Sequence, residues 1–230
     1  MSRNATKDLT TGSPMKLILG FGIPLLFGML FQQFYNMMDT IIVGKFLGVS
    51  ALASVGATGS INFMIIGFCM GVCNGFAIPV AQRFGAKDEH GMRKFVANSV
   101  WLSIIFAVVM AVLVCVFCRQ ILELMNTPED IIDGSYSYIF VIFLGIPATY
   151  MYNLLSGIMR SLGDSKTPLY LLIFSSILNI ILDLLSIIVL KMGVAGAAWA
   201  TVIAQAISGF CCLGVIWKKF PILHVQREEW

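Results

Sequence analysis

Six long apolar runs, at about 15–46, 52–82, 95–118, 131–159, 168–190 and 194–217, constrain this chain more than any other feature. A helix needs about 20 apolar residues to cross the hydrocarbon of a bilayer, and each run meets that length. The runs are too long for barrel strands and do not alternate. Hydrophobic residues make up 58% of the chain and charged residues only 12%, where a soluble domain carries about 25%. With a mean hydropathy of +0.89, the expected class is an all-α integral membrane bundle of six transmembrane helices. Residues 1–14 read as a cytoplasmic N-terminal segment without signal-peptide character. Residues 218–230 read as a cytoplasmic C-terminal segment or the start of a linker. Pro24, Pro79 and Pro147 predict bends in the first, second and fourth spans, since proline removes a backbone donor and clashes with the preceding turn.

Orientation follows from the basic residues. With the N-terminus inside, the inner segments hold Arg3, Lys7, Lys16, Arg83, Lys87, Arg93, Lys94, Arg160, Lys166, Lys218, Lys219 and Arg227. The outer loops hold only Lys45, Arg119 and Lys191. The positive-inside rule then puts both termini in the cytoplasm of a multi-pass cell-membrane protein.

The informative residues are polar ones inside apolar runs. A carboxylate at the bilayer centre costs roughly 2.5–3.5 kcal/mol on insertion scales, so intramembrane acids point to function. Asp183 lies within the fifth run, and Asn179 stands one turn before it at i, i+4, on the same helix face. Asp39 is embedded in the first run. At about 1.5 Å per residue, Asp183 lies about 10 Å below Leu190, Thr201 about 10 Å below Val194, Asp39 about 12 Å below Leu47 and Tyr138 about 10 Å from Ile131. Four polar side chains on four helices thus share one level. Convergence spares each of them exposure to lipid. Carboxylate, amide and hydroxyl oxygens suit a hard cation such as sodium, and a buried carboxylate equally suits a proton. Tyr35, one turn before Asp39, can join this network or serve as an ordinary packing tyrosine.

Other features read more plainly. Gly67, Gly71 and Gly75 form a stripe of small residues that predicts close helix packing. The cysteines at 69, 73, 115, 118, 211 and 212 read as small buried hydrophobes, because Cys115-Val-Phe-Cys118 has no second Cys or His pair beside it. Thirteen Met and seventeen Phe face lipid, fill the bundle or line a tolerant pocket. His90 and His224 have no metal-ligand spacing. No phosphate-binding loop, nucleophile elbow or zinc-helix motif appears, so neither an enzyme nor an ATP-driven pump is expected. A net charge of +3 gives no reason to expect nucleic acid.

Three stretches taken together resemble a known family. Met38-Asp39-Thr40-Ile41-Ile42-Val43-Gly44 resembles the Asp-Thr-hydrophobic-hydrophobic-Val-Gly signature of multidrug and toxic compound extrusion (MATE) transporters. Arg160-Ser-Leu-Gly-Asp-Ser-Lys-Thr-Pro168 resembles that family's Arg-x-x-Gly-Asp-x-x-x-Pro loop. Asn179-Ile-Ile-Leu-Asp183, followed by Gly193-Val-Ala-Gly-Ala-Ala197 and Thr201, is similar to its fifth and sixth helices.

The resemblance implies the N-terminal lobe of a twelve-helix antiporter that uses sodium or protons, and no other cofactor, to expel cationic or amphipathic compounds. It carries the cation-site roles onto Asp39, Asn179, Asp183 and Thr201, with Ala197 adding a backbone carbonyl. The family has two six-helix lobes, so a second lobe or second copy is expected as partner, alongside membrane lipid and a small organic substrate. Two other readings remain open: a flippase of lipid-linked saccharides from the same broader superfamily, and a membrane scaffold or subunit whose acids only hold helices together.

Overall fold

A computed structural model of the chain describes residues 12–223. The expected terminal segments fall partly beyond that range, as do His224, Arg3, Lys7 and Arg227. Among the described residues the chain is helical, without strands: α1 (Pro14–Leu47), α2 (Val49–Gly85), α3 (Glu89–Val116), α4 (Cys118–Leu124), α5 (Glu129–Leu144), α6 (Ile146–Ser161), α7 (Lys166–Leu184) and α8 (Gly193–Lys219). Five helices are individually long and apolar enough to cross a membrane, and α5 with α6 supplies a sixth, bent span.

Local chemistry sets where the helices start and stop. Gly48, at φ 89°, joins α1 to α2 in a single residue, a conformation most side chains resist. At the α2–α3 turn, Asp88 accepts from the Gly91 amide at 2.9 Å and from Arg83 Nη1 at 2.8 Å. It thereby caps α3 and ties it to the end of α2. The Arg160–Pro168 loop is likewise a stop, a turn and a start. Gly163 takes φ 83°. Asp164 then accepts from the amides of Lys166 and Thr167, at 3.1 and 3.0 Å, capping α7. Pro168 sits in that first turn, where its missing N–H costs nothing.

The bends are unevenly distributed. α1 and α2 continue as helix through Pro24 and Pro79. The fourth span breaks by 47° between α5 and α6, at Gly145, two residues before Pro147. α8 packs against α5, α6 and α7, while α1 rests on α7 and α2. Beyond Asp183 the α7 helix widens into a π turn, Leu185–Val189. Ser186 there lies 3.1 Å from the Gly196 carbonyl, at the start of α8.

The glycine stripe departs from its expected role. Nothing comes within 4 Å of where a side chain would stand at Gly67, Gly71 or Gly75, nor at Gly56 or Gly59. Small residues permit close packing only where another helix arrives. The packed face of α2 is a different one, carrying Ser54, Thr58, Ile61, Ile65, Cys69, Cys73 and Val80. The glycines point away from this bundle.

Candidate functional site

Four helices deliver the polar network. α1 contributes Tyr35 and Asp39, α5 Tyr138, α7 Asn179 and Asp183, and α8 Thr201. Asn179 and Asp183 are fully buried, and Asp39 is 8% exposed. The i, i+4 spacing lets the Asn179 amide bridge two partners. Its Nδ2 donates to Asp183 Oδ2 at 2.9 Å, while its Oδ1 faces the Thr201 hydroxyl at 3.3 Å and the Thr201 amide nitrogen at 3.2 Å. This amide orientation satisfies both neighbours; the reverse one would turn the amide oxygen onto the Asp183 carboxylate.

Thr201 links α8 to α1. Its hydroxyl accepts from Tyr35 Oη at 3.2 Å. The single Thr201 hydroxyl proton serves either the Ala197 carbonyl, at 3.1 Å, or Asn179 Oδ1. The Ala197 carbonyl is therefore already occupied within α8 whenever Thr201 points toward it.

Asp39 and Asp183 meet across α1 and α7, and the Tyr138 hydroxyl reaches Asp39. Oδ1 of each carboxylate is buried without a hydrogen-bond partner. Two neighbouring carboxylates buried from water repel each other strongly when both are charged. A pair in this position calls for a proton or a cation between its members. The oxygen set around it (two carboxylates, one amide and one hydroxyl) is what a hard monovalent cation accepts.

All six side chains named from the sequence thus lie in one network, whereas His90 lies outside it, beside the Asp88 cap. Sequence reasoning missed Gln205, whose Oε1 is buried and unpartnered. It stands four residues after Thr201, so the same i, i+4 rule would have placed it on the network's face. Asn62, likewise carrying an unpartnered buried oxygen, had no such signal.

Comparisons with known proteins agree with this architecture. The MatE family model matches residues 24–185. A probable multidrug resistance protein of Bacillus subtilis, YoeA, is 35% identical over 205 residues, covering 86% of this chain and 44% of the relative. The multidrug export protein MepA of Staphylococcus saprophyticus is 27% identical, covering 93% of this chain and 48% of its own length. Among solved structures, a transporter of the MOP superfamily from Pyrococcus furiosus superposes on the whole chain with a TM-score of 0.89 at 27% identity, over 50% of its own length. The chain spans about half the length of the relatives it matches. It belongs to the MATE family of membrane transporters, with the fold of one lobe of the larger molecule.

Proposed function

We propose that this chain supplies the cation-binding N-terminal lobe of an antiporter in the cell membrane, with both termini cytoplasmic. Sodium or a proton entering the lobe drives export of small cationic or amphipathic compounds. The observation carrying this reading is the buried Asp39–Asp183 pair, each member with one oxygen free, surrounded by Asn179, Thr201, Tyr35 and Tyr138. Ala197 contributes a carbonyl when Thr201 turns away.

Binding a cation removes the repulsion between α1 and α7, so occupancy favours the arrangement in which the two helices lie close. An ion shifts a conformational equilibrium only by its differential affinity for the two states. A carboxylate pair that opens or closes with α1 provides that difference.

The test uses the chain assembled with a partner lobe in liposomes, under a sodium gradient in one arm and a pH gradient in the other. Asp39→Asn and Asp183→Asn each remove a charge with little change in volume, and neutral Asn is cheaper to bury. Each variant should insert normally and lose at least tenfold in cation-driven export. Near wild-type export in either variant rejects a coupling role for that acid and favours a scaffold. The gradient that drives flux names the ion.

A further inference from the structure

The interior face of α8 continues the polar network toward the cytoplasmic end of the bundle. Gln205, Ser208 and Cys212 follow Thr201 at steps of four, three and four residues, which keeps all three within about 40° of it around the helix. At about 1.5 Å per residue, Gln205 lies about 6 Å and Ser208 about 10 Å below Thr201. α7 runs antiparallel to this face, since Asn179 meets Thr201 and Ser186 meets Gly196. Ser175 and Ser176, 3% and 9% exposed, therefore stand at the level of Gln205. A second polar layer lies one turn inward of the first.

Two oxygens of this column are orphaned. Gln205 Oε1 and Ser208 Oγ are buried and make no hydrogen bond, and Ser208 is 0% exposed. A serine inside a helix can satisfy its hydroxyl on the carbonyl four residues earlier. Ser54, Ser99, Ser176 and Ser186 all do so, at 3.0, 2.6, 2.9 and 2.6 Å. Ser208 does not. Orphaned buried oxygens are uncommon and call for an explanation such as an ion or ordered water. Neutral amide and hydroxyl oxygens accept a hard cation weakly enough to pass it on, whereas the carboxylates that would hold it stop at Asp39 and Asp183.

The column ends against a positive charge. Cys212 Sγ lies 3.9 Å from Ser156 Oγ of α6, one turn before Arg160. The Arg160 side chain turns back along α6, its Nη2 3.9 Å from where a side chain at Gly157 would stand. Its guanidinium is within electrostatic range of Cys212 and of Cys73 on α2. Among the described residues Arg160 has no carboxylate partner. A guanidinium left uncompensated beside a cation path repels what moves along it.

Resting on the cation-coupled reading above, we propose that sodium or a proton leaving the Asp39–Asp183 pair for the cytoplasm moves along this face of α8, from Thr201 to Gln205 and Ser208, and that Arg160 closes the inner end of the route. Each step offers the cation an oxygen in place of water. Opening the route requires the guanidinium to swing clear of Cys212.

The experiment uses the chain assembled with a partner lobe in liposomes, with radioactive sodium outside in one arm and an entrapped pH dye in the other. Gln205→Leu/Ser208→Ala should slow cation entry about tenfold, while equilibrium cation binding changes by no more than about twofold. Ser208→Ala alone, a smaller change to the core, should slow entry less. Arg160→Gln should admit cations when no substrate is supplied, whereas Arg160→Lys should not. Entry at the unmodified rate in the double variant, or binding and entry falling in parallel, would overturn the route and leave the acid pair standing as a binding site. Liposomes that stay tight with Arg160→Gln would overturn the gate. Absence of cation binding by the unmodified protein would overturn the coupling site itself, and the route with it.

Discussion

At the scale of single residues, Thr201 is the joint of the polar network, because its hydroxyl meets Tyr35 of α1 and Asn179 of α7 from α8. Replacing it by Val keeps the shape and removes the hydroxyl. That leaves the buried Tyr35 hydroxyl short of a partner, and Asn179 Oδ1 with only the backbone amide, at a cost of about 1–3 kcal/mol. Thr201→Val should therefore weaken cation binding by about tenfold or more, while Thr201→Ser retains it. Isothermal titration with sodium or protons checks this, and equal weakening by both variants would place the effect in packing. Much of this network was legible beforehand. An acid inside an apolar run is conspicuous, and Asn179 at i, i+4 from Asp183 settles which face of α7 matters. Depth arithmetic placed Thr201 and Tyr138 at the right level. It could not show that Asp39 and Asp183 touch, because that depends on the rotation of α1 against α7.

Elements carry a different kind of information. Pro147 marked the bend in the fourth span, yet the break falls at Gly145. The proline leaves the carbonyl four residues earlier without its helical donor and strains the turn in between. Gly145 also lies tight against α8, since a Cβ there would meet Val202 Cγ2 well inside contact distance. Val202 is branched at Cβ and held by the bend, so it has little room to yield. Gly145→Ala should cost about 1–3 kcal/mol by overpacking and lower the Tm in detergent. Gly209→Ala, which meets only the flexible end of Met151, should lower it less.

The α3 cap gives a pH-dependent counterpart. The Gly91 amide, and after it Arg83, hold the Asp88 carboxyl below its usual range. A depressed carboxylate stabilises the fold above its unfolded pKa, and that contribution is lost as pH falls through the folded value. Asp88→Ala should lower the Tm at neutral pH, with the difference vanishing in strong acid. The π turn at Leu185–Val189 was not legible, because a single serine, Ser186, in an apolar run does not distinguish a widened turn from an ordinary one.

On the scale of the whole molecule, two outward faces look unsuited to lipid. α1 exposes Gln33, Asn36 and Thr40 along one stripe, and α2 exposes Ser60 and Asn74 among its unpartnered glycines. Polar side chains in hydrocarbon are expensive unless another helix or a wet cavity meets them. The sequence shows the small residues and predicts close helix packing for them, but not which side of α2 the bundle covers. With the chain spanning about half the length of its relatives, these faces are suited to a second lobe. Alternating access in such transporters requires one bundle to rock against another around a site between them. One six-helix bundle provides the Asp39–Asp183 pair and only one wall of a cleft. The isolated chain should therefore bind its cation yet move no substrate. Reconstituted as a verified monomer, it should retain cation binding that Asp183→Asn abolishes, while gradient-driven efflux of a fluorescent cationic dye stays at the level of empty liposomes. Adding a partner lobe or enforcing a second copy should restore the flux. Dye efflux from the monomer would show that one bundle suffices, and the polar stripes of α1 and α2 would then need another explanation.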